Sequence, residues 1–217
     1  MKAQLKNLWS DNRKYFLFAC LLFGLGMVWG YLQSEAVEQI ANALLEQLKD
    51  MVAKLEREGG GPLAVFWAIF KNNLFVSLFM MALGVFFAFL PVFSMLANGI
   101  VIGFILAKFH AAGINPWLMF TAGILPHGVF ELAAVLFAAG VGIRLGVLSF
   151  RSVGSLIQPA KWGRVKNDWF DMLKQFPTSV ITVIVLLFIA AIVETVVTPL
   201  IIQGVLGDQL KQINLFG

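Results

Sequence analysis

WLMFTAGILPHGVFELAAVLFAAGV, residues 117–141, decides how this chain folds. Trp117 to Val141 is almost wholly apolar and long enough to cross a bilayer as a helix, which needs about 20 residues. Two ionisable residues interrupt it, His127 and Glu131. Four residues apart on a helix, they share one face at a separation of about 6 Å. A charged group at that depth costs roughly 2.5–3.5 kcal/mol unless something satisfies it. The pair therefore marks a site.

Four further segments flank this one. Tyr15–Leu32 is a span with Gly26 and Gly30 at the small-xxx-small spacing that lets helices approach closely. The spans 74–90, ending near Pro91, and 95–109, with Gly99 and Gly103, follow. Pro126 is expected to kink the span 117–141. The fifth span is 177–202. The chain reads as one all-α integral membrane domain, residues 1–217, of about five transmembrane helices. Composition agrees: 59% of residues are hydrophobic and 13% charged, against about 25% charged in soluble domains. Mean hydropathy is +0.85.

Between the first two spans, 33–58 is polar, with Leu44, Leu45, Leu48, Met51, Val52 and Leu55 at helical spacing. This predicts an amphipathic helix, and Leu44, Leu48, Met51 and Leu55 form a candidate partner-binding stripe. Gly59-Gly60-Gly61-Pro62 ends it. The short aromatic stretch 63–70 reads as interfacial, and Asn72 and Asn73 as caps for span two. Segment 144–175 reads as a basic loop.

Basic residues set the orientation. Lys2, Lys6, Arg13 and Lys14 precede span one, and Arg144, Arg151, Lys161, Arg164, Lys166 and Lys174 lie in 144–175. Both belong on the cytoplasmic side. The segment 33–73 holds more acidic than basic residues and belongs outside. The N-terminus is then inside and the C-terminus outside. The first span reads as an uncleaved helix, being longer than a signal core and lacking a small-x-small cleavage site. The basic residues report topology; no basic face with interleaved aromatics suggests nucleic acid. Cys20 is the single cysteine and has no partner for an internal disulfide.

Glu194 is the third intramembrane ionisable residue, within Ile189-Ala-Ala-Ile-Val-Glu-Thr-Val-Val-Thr-Pro199. At about 1.5 Å of rise per residue, it lies within about one turn of His127 and Glu131 in depth. Three readings of the trio stay open. It can hold a divalent metal such as zinc, for which imidazole and carboxylates are ordinary ligands. It can be a hydrogen-bonded structural pair, or a proton or ion relay. The spacing is not that of a His-Glu-x-x-His protease. Asn98 is expected to bond across helices, and Arg144 to snorkel to the cytoplasmic interface.

Four stretches resemble the stage II sporulation protein M family: Ile124-Leu-Pro-His-Gly-Val-Phe-Glu-Leu132, Ala138-Ala-Gly-Val-Gly-Ile-Arg-Leu-Gly146, Ala97-Asn-Gly-Ile-Val-Ile-Gly103 and Ala190-Ala-Ile-Val-Glu-Thr-Val-Val-Thr-Pro199. The resemblance covers essentially the whole chain. It implies a bacterial cytoplasmic-membrane protein that, in spore formers, acts in engulfment and assembles with two peptidoglycan-degrading proteins. It also implies that His127, Glu131 and Glu194 belong to the family's polar set. The function expected is a non-enzymatic scaffold among membrane lipids, with the glycine pairs suggesting a homodimer. The alternative is a transporter or lipid-handling protein that uses the trio as a relay.

Overall fold

A computed structural model describes residues 2–39, 42, 43, 46, 61–113, 115–121, 125–198, 200, 201 and 204. Among these the chain is helical and contains no strand: α1 (Lys2–Leu32), α2 (Pro62–Leu83), α3 (Phe89–Ala111), α4 (Pro116–Met119), α5 (Leu125–Ile157) and α6 (Trp162–Ile192). A 3-10 turn, Pro159–Lys161, joins α5 to α6, and a π-helical stretch, Val193–Val197, continues α6. Five helices are long and apolar enough to cross a membrane.

The count of five spans stands; several boundaries move. Span two begins at Pro62 rather than 74, so 63–70 is part of α2, and Asn72 and Asn73 lie inside the helix rather than capping it. Gly61 is the N-cap, and Pro62 occupies the first turn, where a missing N–H costs nothing. The helix passes through Lys71, whose ammonium lies 5.9 Å from the centroid of the Trp67 ring. Pro91 does not end span two. It lies in the first turn of α3, and the chain reverses earlier, over 84–88. Pro126 lies on α5; positions 122–124, over which its expected kink would act, lie outside the described residues. The basic segment 144–175 is not a loop: α5 and α6 run through it as a helical hairpin. The partner-binding stripe Leu44, Leu48, Met51 and Leu55 lies outside the described residues.

α5 is the hub. Of its apolar window 72% is buried, against 17–28% for the other spans. Gly140 lies against Phe16 of α1, Gly142 against Met80 and Pro91, and Gly146 against Ala88. Ala88 and Phe87 hold the turn between α2 and α3 in the left-handed region, at φ 61 and 55. Without a side chain at 146, that tight turn seats directly on α5.

α1 and α3 run parallel and meet through both glycine pairs. A methyl group on Gly26 would strike Leu96, and one on Gly30 would strike Ile100. Methyls on Gly99 and Gly103 would strike the backbone at Phe23 and at Met27. The pairs expected to suggest a homodimer are thus consumed inside one chain. Beyond Leu32 the helix resumes over 34–39, where Val37 packs on Phe104 and Glu38 reaches Lys108 at 2.5 Å. Tyr31 hydrogen-bonds His110 just below.

Candidate functional site: an acidic pair between three helices

Among the described residues, two polar clusters lie inside the bundle. The first joins α2, α5 and the π-helical end of α6. Asn73 donates its side-chain amide to Glu131 Oε1 at 2.8 Å. α2 and α5 are parallel here, and the 58-residue offset of this pair also brings Gly84 onto Gly142. Ser77 follows Asn73 by one turn on the same face. It is fully buried, and its hydroxyl has no hydrogen-bond partner among the described residues.

Glu194 enters from α6. The π-helical turn widens the helix at this residue, a local geometry frequent at functional sites. The π-helical stretch that carries it packs against both α5 and α2. Glu194 Oε2 is buried without a hydrogen-bond partner among the described residues. Thr195 turns back to Ala191 O at 2.8 Å and so does not serve the pair.

The third member of the trio is placed by its backbone alone. α5 and α6 are antiparallel, with Arg151 on Asp168 and Ser152 on Trp169. That register, carried outward along both helices, brings position 127 about level with 192–194. The side chain of His127 lies outside the described residues. Among the described residues, no group of three His, Cys, Asp or Glu is close enough to hold a metal.

The second cluster surrounds Arg144 at the opposite end. Arg144 does not snorkel: it is 8% exposed. It donates to Gln175 Oε1 at 2.7 Å and to Asn12 Oδ1 at 3.3 Å, with Asp11 Oδ2 at 3.9 Å. Gln175 in turn donates to Asp11 at 2.6 Å. The guanidinium thus ties α1, α5 and α6 together where their basic ends gather. Its fork of donors suits several acceptors at once. Asn98 also departs from expectation. It is exposed and bonds its own helix, to Ser94 O at 2.8 Å, instead of crossing to another.

Asn73, Ser77, Asp11, Asn12 and Gln175 are the site residues that sequence reasoning missed. Asn73 carried a signal: an amide with long apolar runs on both sides.

A family model for stage II sporulation protein M matches residues 19–199. The chain belongs to this family. The match includes both glycine pairs, His127, Glu131, Arg144 and Glu194. Two uncharacterised proteins of Methanocaldococcus jannaschii are similar. One is 26% identical over 84% of this chain and 93% of its own length. The other is 28% identical over 86% and 82%. No solved structure matches.

Proposed function

We propose that this member of the stage II sporulation protein M family is a non-enzymatic membrane scaffold. It sits in the cytoplasmic membrane with its N-terminus inside and its C-terminus outside, and recruits peptidoglycan-degrading partners through segment 40–58. The observation that carries this reading is how the intramembrane polar groups are used. Asn73–Glu131 and the Arg144 cluster each tie one helix to another, near opposite ends of the bundle. The chain invests its buried polarity in rigidity, which a platform for partners needs. The Glu131–Glu194 pair, level with position 127, is also suited to a divalent cation such as zinc, which would offset two carboxylates.

The orientation is supported by charge. Arg13, Lys14 and the α5–α6 hairpin share the end of the bundle where Arg144 meets Asp11 and Gln175. In a Cys20→Ser background, a cysteine at Gln158 should resist an impermeant maleimide on intact cells, and one at Lys54 should react. The opposite pattern would invert the topology. Deleting 40–58 leaves Val37 and Glu38 in their packing against α3. The deletion should abolish co-purification of the partners while insertion persists; undiminished co-purification would sink the scaffold reading.

One observation favours a second reading. The unpartnered Oε2 of Glu194 beside a second carboxylate is what a proton or ion relay would hold ready. Flux into proteoliposomes that disappears in Glu131→Gln would establish transport in place of scaffolding.

A further inference from the structure

The α5–α6 hairpin carries a cavity that the acidic pair does not explain. It measures about 290 Å³ and is lined by Arg151, Gly154, Gln158, Lys161, Arg164 and Val165. Three of the six lining residues are cationic. Arg151 is held by Asp168 at 2.6 Å. Lys161 and Arg164 have no carboxylate partner among the described residues. Val165 is buried and closes one wall, while a side chain at Gly154 would meet nothing within 4 Å, so that side stays open.

The tip of the hairpin beyond this cavity is apolar. Leu156 and Ile157 are 76% and 82% exposed, and Trp162 is half exposed beside them. Large apolar side chains at a helix tip, flanked by cations, match the composition of a bilayer interface, where Trp rings and basic groups sit at the headgroups. The depth agrees. Phe150 of α5 packs on Phe87 of the α2–α3 turn, ring centroids 4.5 Å apart, where that turn reverses at the bundle's end. From Phe150 to Ile157 the helix rises only about 10 Å, comparable with the headgroup layer of a bilayer.

We propose that this cavity binds the phosphate of an anionic phospholipid from the leaflet facing the hairpin. Lys161 and Arg164 hold the phosphate oxygens, and Gln158 offers its amide to the headgroup. Leu156, Ile157 and Trp162, at the outer tip of the hairpin, lie among the headgroups. The site fixes the hairpin at the membrane surface. It does not depend on the acidic pair or on the scaffold reading.

The test uses the full chain in detergent, titrated separately with phosphatidylglycerol, phosphatidylcholine and inorganic phosphate. Bound lipid is read by native mass spectrometry and stability by thermal melting. Phosphatidylglycerol should stay bound and raise the melting temperature, while phosphatidylcholine and inorganic phosphate should do neither. The double variant Lys161→Gln/Arg164→Gln should bind phosphatidylglycerol roughly thirtyfold more weakly, as two surface cations predict. The control Lys166→Gln/Lys174→Gln, with the same charge change outside the cavity, should bind as wild type. Equal binding by the double variant, equal loss in the control, or inorganic phosphate acting as strongly as the lipid would each overturn the proposal. Both pairs of substitutions are at exposed positions and leave the core untouched.

Discussion

Asn73 and Glu131 are joined by one hydrogen bond between two parallel helices, donor on α2 and acceptor on α5. Removing the donor leaves a buried carboxylate oxygen without its partner. Asn73→Ala should therefore destabilise the bundle by about 1–3 kcal/mol, read by thermal melting in detergent. Asn73→Asp should do more harm, since it sets a third carboxylate beside two. Glu131→Gln keeps an acceptor for Asn73 and should be the mildest of the three.

Ionised carboxylates at Glu131 and Glu194 would repel each other, so either a proton or a cation must offset them. If a divalent metal binds here, Glu194→Gln and His127→Ala should both lower the metal content of the purified protein and its melting temperature. Elemental analysis beside a melt separates the readings. A rise in melting temperature for Glu194→Gln with unchanged metal content would identify a purely structural pair.

Gly30 and Gly103 are contact points between α1 and α3 within one chain. Gly30→Leu and Gly103→Leu should each cost about 1–3 kcal/mol or more, the usual range for overpacking. Light scattering should show the same oligomeric state for these variants as for wild type. A dimer that dissociates on either substitution would show that the glycines serve a second copy instead.

Arg144 serves three partners at once. Arg144→Met strands the acceptors of Asn12 and Gln175 and should cost about 1–3 kcal/mol, the usual penalty for buried polar groups left without a partner. Arg144→Lys should recover little, because an ammonium cannot reproduce the fork. Denaturant titration of both variants measures the difference.

Glu38 and Lys108 form an exposed pair. Glu38→Gln should change stability by less than about 1 kcal/mol, and raised salt should shrink even that. Melts at two ionic strengths are sufficient to check it.

Much of the fold was legible in the sequence, because apolar runs of bilayer length report spans directly. The five helices and the close packing at Gly26, Gly30, Gly99 and Gly103 follow from span length and small-residue spacing. What escaped depended on neighbours. Lys71-Asn72-Asn73 reads as a helix end until Glu131 is seen to receive Asn73. Residues 144–175 read as a loop because their charges hide the helical period, and Arg144 reads as an interface residue until Asn12 and Gln175 arrive from distant parts of the chain. No local pattern encodes such partners.

Gly140, Gly142 and Gly146 let three different parts of the chain touch the main chain of α5. A helix gripped in this way has no free direction. Sliding it by one residue would drive side chains such as Val141 or Leu145 into gaps sized for a hydrogen atom. Any signal crossing this membrane through the protein must therefore travel as a tilt of the whole assembly, and not as a piston stroke of its central rod.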